Sequence, residues 1–305
     1  MIPPRSVLAA VDFSDSSRVA LSFAARLATH SGAALHVMHV EDPMLAAAAG
    51  TQGIDLARDT SDELGIFTRS AMPPAAGPPA LHVTAGPAAA SICEMAARQG
   101  ADVVVVGMRG ISAVEHLVFG STTEAVLRSA AVPVVAVPTA WTPPRPASST
   151  LEGVGPVVVA IEHTDAALSA ARAAARLARL LGTTAEAIHV VPALRVLNRW
   201  QAQADGVVRE REDAARDALE AALRSLEIRP PLELRIESGH VAQRVADAVA
   251  SGDGRRPVLV MGRRPRAAGT TAYRILTLAN APVLQFVGDD AGREGDASPD
   301  ERRRS

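Results

Sequence analysis

The stretch that decides the fold predicted for this chain reads Val103-Val104-Val105-Val106-Gly107-Met108-Arg109-Gly110. Four consecutive β-branched valines that end at a glycine are typical of a strand buried on both faces of a parallel sheet. After residues 111–119 the chain reads Gly120-Ser121-Thr122-Thr123-Glu124, with apolar residues at helical spacing behind it. The stretch therefore predicts a buried strand, a loop and a helix.

Two features of this stretch suit a phosphate group. Gly107 and Gly110 can adopt positive φ and let a ligand approach the backbone closely. The first N–H groups of a helix have no partner within it, so a helix that begins at Gly120-Ser121 offers them to an anion. We therefore predict a phosphate site between Gly107 and Thr123.

A second interpretation of the helix start stays open. The residues Ser121-Thr122-Thr123-Glu124 also fit a capping box, in which Ser121 and Glu124 satisfy each other's backbone donors. In that case Gly120 is a simple turn residue.

The composition is that of a globular protein with room for two domains. Of the 305 residues, 48% are hydrophobic and 21% are charged, and the net charge is −2. Aromatic residues make up only 3%, which argues against a stacking surface for single-stranded nucleic acid. The near-neutral charge also gives no reason to expect a nucleic-acid partner.

Apolar runs and cysteine usage indicate the compartment. No apolar run approaches the length of a membrane span, and Met1 to Arg5 do not begin a signal peptide, so we expect a cytoplasmic protein without a membrane partner. The single cysteine, Cys93, cannot form an internal disulfide and is expected to be a buried, inert thiol.

All the basic residues are arginine, because the sequence contains no lysine. This excludes a P-loop of the GxxxxGK[ST] kind and any lysine Schiff base. A bound phosphate must therefore be held by backbone amides, hydroxyl groups and arginine.

Strand and helix patterns alternate along the first half of the chain, beginning with a strand at 6–11 that ends beside Asp12. Such alternation predicts a parallel, doubly wound sheet, which binds ligands at the carboxyl ends of its strands. Asp12 is therefore a candidate ligand contact, with a turn or N-cap role as the alternative. Residues 41–79 are the least regular part and are predicted to be a surface loop with a helix near 55–69; a mobile flap is the alternative.

The same pattern restarts after a segment rich in Pro, Ser and Gly at 139–155. Residues 156–161 match the first strand, and 281–287 match the last strand at 132–138. A repeat of this length indicates two tandem domains. We predict domains at 1–140 and 156–288, an extended linker at 141–155, and a disordered tail at 289–305.

The spacing of Gly107, Gly110, Gly120 and Ser121 resembles the nucleotide-binding signature of the universal stress protein family. The segment that ends at Asp12 resembles the family's first strand, and because the pattern occurs twice the resemblance covers nearly the whole chain. It implies two tandem doubly wound α/β domains of the Rossmann-like, adenine nucleotide alpha hydrolase-like kind, each with five parallel strands in the order 3-2-1-4-5.

The resemblance also implies a stress-response protein that binds ATP, with or without Mg²⁺, in its first domain. It assigns no catalytic or metal-ligating residue. In the family two such domains pair through their last strands, which here are Val134–Val137 and Val283–Phe286; a homodimer stays open. The residues implied at the nucleotide are Ala10, Val11, Asp12, Val40, Val106, Gly107, Met108, Arg109, Gly110, Gly120, Ser121, Thr122 and Thr123.

The second copy departs from the signature in its phosphate region. Pro265 stands where the second glycine is expected, and the span from Gly262 to Gly269 is shorter than that from Gly107 to Gly120. Proline has no N–H and a fixed φ, so it cannot join a cradle of backbone amides. We expect that this domain does not bind ATP in the family's manner. Its arginines either form a solvated surface loop or hold another anion; they are Arg263, Arg264 and Arg266.

Three functions stay open at this point. The first is a regulatory module that binds ATP, with a slow or absent ATPase. The second is a phosphoryl- or adenylyl-transfer enzyme in which Arg109 stabilises the transferring group, although the sequence identifies no general base, and His116 in the loop is expected to be exposed. The third is a nucleotide-free interaction scaffold. The motifs of serine hydrolases, zinc proteases and paired cysteines are missing from the sequence.

Overall fold

The computed structural model describes residues 3–109, 120–162, 164–194, 200–228, 231–250, 256–263 and 270–287. Several features named above lie outside these residues: Gly110, His116, Arg264, Pro265, Arg266, Gly269 and the tail at 289–305.

The first half of the chain alternates strands with helices, as the Val-rich and amphipathic segments predict. Its elements are β1 (Ser6–Ala10), α1 (Asp15–Ser31), β2 (Ala34–Glu41), α2 (Pro43–Thr51), α3 (Leu56–Ala71), β3 (Ala80–Ala85), α4 (Ala88–Arg98), β4 (Val103–Gly107), α5 (Ser121–Ser129) and β5 (Val134–Val137).

The second half repeats this order, and in its described residues one longer helix lies between the second and third strands. Its elements are β6 (Val154–Ala160), α6 (Asp165–Leu181), β7 (Ala185–Pro192), α7 (Gln201–Ser225), β8 (Glu233–Gly239), α8 (Val241–Ala248), β9 (Arg256–Arg263), α9 (Thr270–Leu278) and β10 (Val283–Val287).

The first helix of each half begins and ends with the same chemistry. Ser14 caps α1 and Thr164 caps α6, and each hydroxyl accepts a hydrogen bond from the third N–H of its helix. Gly32 and Gly182 end the two helices at φ of 71° and 64°, a left-handed conformation that glycine adopts without a steric penalty. The internal repeat therefore extends to the local signals that set the helix ends.

The ten strands of the described residues form one sheet in the order β3-β2-β1-β4-β5-β10-β9-β6-β7-β8. Each half has the strand order 3-2-1-4-5, and every pair within a half is parallel. β5 and β10 join the halves as an antiparallel pair, with Leu284 opposite Val135. The chain is thus two tandem doubly wound α/β domains that share one sheet.

Helices cover both faces of this sheet, so its strands are apolar on both sides. One core contains side chains of α1, α3, α6 and α7, and the other contains side chains of α4, α5, α8 and α9. Val104 and Val105 show the arrangement: they are adjacent in β4, fully buried, and belong to opposite cores. None of the helices in the described ranges is both long and apolar enough to cross a membrane.

The structure corrects three expectations about less regular or isolated residues. Residues 43–51 form a helix, α2, rather than a surface loop, whereas the helix expected near 55–69 is present as α3, which buries Leu64 and Phe67 against the core. The linker is packed rather than extended in solvent: the Trp141 ring lies 5.1 Å from the Phe23 ring. Cys93 is only partly buried, with its Sγ 3.5 Å from the Ser129 hydroxyl.

Acid should destabilise the edge of the first domain at His82. His82 Nε2 lies 3.1 Å from His36 Nδ1, and burial, then the charges of His36 and Arg98, lower the pKa of His82. The folded state therefore disfavours the charged imidazole, so stability present above about pH 6.5 should fall as pH drops through the lowered pKa. Urea unfolding at pH 7 and pH 5 measures this. His82→Asn should lose less stability on acidification than the wild type, and an equal loss in both proteins would contradict the assignment.

Candidate functional site

The candidate site is a cavity of about 110 Å³ at the carboxyl ends of β1 and β4. Connections leave these neighbouring strands toward opposite edges of the sheet, which opens a crevice between them. The cavity is lined by Ala10, Val11, Asp12, Ser17, Met38, His39, Val40, Ala88, Ile92, Val106, Gly107, Arg109, Gly120, Ser121, Thr122 and Thr123.

Asp12 lies where β1 passes into α1. Its Oδ1 accepts hydrogen bonds from the backbone N–H of Ser14 at 3.1 Å and from the Ser14 hydroxyl at 2.6 Å. Ser14, rather than Asp12, is the N-cap of α1. Asp12 therefore orients the capping serine while its carboxylate lines the cavity.

Gly107 is required by the packing of α1 and not by a positive φ, since it is not among the glycines with positive φ. A Cβ at this position would lie 2.8 Å from the carbonyl carbon of Ser16 and 2.9 Å from its oxygen. The expectation that Gly107 uses positive φ is therefore wrong. Its missing side chain lets the start of α1 approach the end of β4.

The helix behind the loop begins without a side-chain cap. Gly120 is the N-cap of α5, and among the described residues no side chain caps its first turn. The capping-box interpretation of Ser121 and Glu124 is thus incorrect. The N–H groups of the first turn point along the helix axis out of its amino end, which lines the cavity and also carries the positive end of the helix dipole.

Three hydrogen bonds hold the end of β4 against its neighbours. The buried Thr123 hydroxyl donates to the Gly107 carbonyl at 2.7 Å, and the Gly120 N–H donates to the Met108 carbonyl at 3.1 Å. The Arg109 N–H donates to the Ser16 hydroxyl at 3.1 Å. These bonds place the exposed Arg109 beside the start of α5, so a cation and a helix N-terminus line the same cavity.

The structure brings together most, but not all, of the residues that the sequence analysis placed at the nucleotide. Met108 does not line this cavity; it is buried beside Leu276 and Ala279, near the end of α9. Gly110 lies outside the described residues. The predicted residues that do line the cavity are Ala10, Val11, Asp12, Val40, Val106, Gly107, Arg109, Gly120, Ser121, Thr122 and Thr123.

Sequence reasoning missed five lining residues that come from neighbouring elements: Ser17, Met38, His39, Ala88 and Ile92. His39 Nδ1 donates to the Val11 carbonyl at 2.8 Å, which links the ends of β2 and β1. The predicted strand order places the end of β2 next to that of β1, so the strand order already contained a signal for Met38 and His39.

The second domain contains an equivalent but larger cavity of about 380 Å³. His189 Nδ1 donates to the Ile161 carbonyl at 2.9 Å, repeating the bond between His39 and Val11. Among the described residues that line it, the ionisable carboxylate is Glu162 and there is no arginine. The two cavities therefore share their architecture and differ in charge.

Arg263 is neither on a solvated loop nor beside an anion site. It is buried, and its guanidinium donates to the Leu127 carbonyl at 3.0 Å and to the carbonyls of Arg128 and Ala130. Burial lowers the pKa of Arg263. A side chain of the second domain thus caps the carboxyl end of α5, the helix whose amino end lines the candidate site.

Tyr273, also from the second domain, meets α5 nearer its amino end. Burial raises the pKa of its phenol, and Glu124 of α5 raises it further by its charge and by a hydrogen bond. Both ends of α5 therefore meet groups that depend on the tertiary structure.

Comparison with known proteins agrees with the repeat. The model of the universal stress protein family matches the chain twice, at residues 4–138 and 153–285. No curated protein matches the chain.

Similar solved structures extend over nearly the whole chain. A protein of unknown function from Pseudomonas aeruginosa PAO1 is 18% identical, with a TM-score of 0.57 and 94% of each chain covered. A universal stress protein from Archaeoglobus fulgidus DSM 4304 is 16% identical, with a TM-score of 0.57, and the match covers 93% of this chain and 97% of that one. A putative universal stress protein from Pseudomonas aeruginosa UCBPP-PA14 is 17% identical, with a TM-score of 0.56 and 94% of each chain covered. At these identities the likeness is one of fold.

Proposed function

Because the chain belongs to the universal stress protein family, we propose that it is an ATP-binding regulatory protein of the stress response, with its nucleotide in the first domain. The observation that carries the proposal is the amino end of α5. Among the described residues no side chain caps its first turn, and Arg109 lines the same cavity. A phosphate chain, with or without Mg²⁺, would supply the negative charge that both features favour.

The other end of the cavity suits a base and a ribose. Met38, Val40 and Ile92 are apolar and line the side toward β2 and α4. Asp12 supplies a carboxylate oxygen to accept hydrogen bonds from ribose hydroxyl groups. The polarity thus changes along the cavity in the order in which ATP presents its base, sugar and phosphates.

The second domain is proposed to act without ATP. Its cavity has no arginine among the described lining residues, and Arg263 is already bonded to α5. We propose domains at 1–140 and 156–288, joined by the linker 141–155, that remain paired through β5 and β10 in solution. Nucleotide binding in one domain would then alter the surface that both domains present to a partner. Two chains could also form a homodimer, which the mass measurement described below tests.

Thr122→Glu should abolish or strongly weaken ATP binding while the protein stays folded. Thr122 is exposed in the first turn of α5, where a carboxylate favours the helix but repels a phosphate. We expect ATP affinity, measured by calorimetry on the full chain, to fall at least about tenfold. The freshly purified wild type, once denatured, should release about one nucleotide per chain, identified by chromatography and mass.

The matched control is Thr271→Glu in the second domain. Thr271 is exposed and is the second residue of α9, as Thr122 is the second residue of α5. It should leave ATP affinity unchanged. Two nucleotides per chain, or a loss on Thr271→Glu, would contradict a single site in the first domain, and no binding of added ATP would leave a scaffold. Mass measured in solution with and without ATP reports on the homodimer.

A slow ATPase is the alternative that the position of Arg109 favours. Its guanidinium lies beside the proposed phosphate site and could stabilise charge on a transferring phosphoryl group. Phosphate release that Arg109→Gln reduces, with ATP affinity retained, would place the protein among the enzymes.

A further inference from the structure

An apolar cavity of about 550 Å³, larger than the candidate nucleotide site, lies between α1 and α6 over the strands that join the two domains. We call it the seam cavity. Its floor is formed by Val135 of β5 and Leu284 of β10, which pair across the domain boundary. The other residues that line it are Pro3, Pro4, Phe23, Leu27, Val103, Leu151, Arg176, Leu177, Arg179, Leu180, Leu181 and Val258.

The cavity follows from the way two doubly wound domains share a sheet. On this face α1 packs mainly over β1 and β4, and α6 packs mainly over β6 and β9. The joined strands β5 and β10 lie between these two helices, where α1 reaches β5 and α6 reaches β10 only with their flanks. Leu151 of the linker covers part of the gap. The remaining space is apolar because it exposes the inner faces of both helices and of the sheet.

One end of the gap is closed by a bond between the domains. His30 of α1 has its Nε2 2.7 Å from the Leu180 carbonyl of α6. This contact fixes the spacing of the two helices near their carboxyl ends. The cavity is therefore preformed by the fold, as most small-molecule sites are, and its volume falls in the range of about 300–1,000 Å³ typical of such sites.

The charged residues of the cavity are all of one sign. Arg176 and Arg179 line it with exposed side chains, and no acidic residue does so in the part of the chain that the structure describes. The two arginines are three apart on α6, so they are neighbours on the helix surface, and like charges so placed repel each other. An anion between them would relieve this repulsion and accept hydrogen bonds from both guanidinium groups.

We propose that the seam cavity binds an aliphatic monocarboxylate of medium chain length, of the fatty acid class. The alkyl chain lies over β5 and β10 between α1 and α6, where it buries apolar surface against leucine and valine side chains. The carboxylate lies at the solvent side of the cavity, where it pairs with Arg176 and Arg179. This site is independent of the nucleotide site, because the two line different faces and share no lining residue.

The test is calorimetric titration of the full chain with decanoate below its micellar concentration, with decanol as the uncharged analogue. Decanoate should bind at one site and more tightly than decanol. Arg176→Gln combined with Arg179→Gln should lower the affinity for decanoate about tenfold, which corresponds to the loss of a charge-assisted hydrogen bond. The affinity for decanol should not change. Both arginines are exposed, so the variant should fold normally.

Two further variants complete the experiment. Arg172→Gln removes an exposed arginine of α6 that does not line the cavity, so decanoate affinity should not change. Leu177→Trp fills the cavity from α6 and should abolish binding of both ligands. The proposal is overturned if decanoate does not saturate a single site, if the paired arginine substitutions leave its affinity unchanged, or if Leu177→Trp still binds it.

Discussion

Gly107→Ala should lower the free energy of unfolding by about 3 kcal/mol, the upper end of what overpacking a core with one extra carbon costs. The added Cβ would lie 2.6 Å from the Ser16 hydroxyl and less than 3 Å from backbone atoms of the same residue. Backbone at the start of a capped helix cannot move as a flexible side chain can. The start of α1 must therefore shift away from β4, which also disturbs the bond from the Arg109 N–H to Ser16. Urea unfolding of the full chain measures the change.

Gly50→Ala is the matched control for this substitution. Gly50 lies in α2, and a Cβ added there meets nothing within 4 Å. Alanine in an open helical position should stabilise the protein by about 0.5–1 kcal/mol. If Gly107→Ala and Gly50→Ala had the same effect, close packing of α1 would not be the reason for a glycine at 107. Gly262→Ala should repeat the loss in the second domain, because its Cβ would lie 2.5 Å from the Ala166 carbonyl oxygen.

Arg263→Met should lower the free energy of unfolding by about 2 kcal/mol, the cost of removing hydrogen bonds from a charged donor to buried acceptors. Counted from the matching glycines at 107 and 262, Arg263 occupies the position that Met108 has in the first domain, so methionine suits the local backbone. Loss of the arginine would leave the carbonyl groups at the end of α5 without the guanidinium that now pairs with them. The last carbonyl groups of any helix have no partner within it, and burying them without another hydrogen-bond donor destabilises the folded state.

The loss should also reach the nucleotide site, since the other end of α5 lines it. We expect Arg263→Met to weaken ATP binding, whereas Met108→Leu, an apolar exchange of similar volume, should cost less than about 1.5 kcal/mol. Urea unfolding and calorimetry on the same preparations measure both effects. A stability within about 0.5 kcal/mol of the wild type would mean that the cost of burying the Arg263 charge offsets its hydrogen bonds.

At the candidate site, sequence reasoning placed lining residues best where their positions depend on neighbouring residues. Asp12, Arg109 and Thr122 line one cavity because each follows a strand end or begins a helix, and it was the resemblance to the family's signature that implied them as site residues. Sequence reasoning failed where a side chain's role depends on a distant partner. Met108 lies in the middle of the predicted motif, yet it packs beside α9 in the other domain.

Arg263 shows the same limit with a charged residue. A run of arginines in a sequence is typical of a solvated loop, and nothing within the run distinguishes one member from the next. Its acceptors, the carbonyls at 127, 128 and 130, are more than 130 residues away in the chain. Only the joining of the two domains brings them within hydrogen-bond distance.

The sequence by itself indicated the two tandem domains and their alternating strands and helices, and its resemblance to the family implied the strand order that places a cavity at the ends of β1 and β4. The alternation and the repeat depend on hydrophobic periodicity, glycine placement and helix caps, which act over a few residues. The tertiary structure alone decided which side chains fill the space between the domains, namely Arg263 at the end of α5 and Met108 beside α9. It also decided that a gap stays open over β5 and β10. The physical reason is that packing depends on surfaces brought together from distant parts of the chain, and no local pattern encodes what a surface will meet.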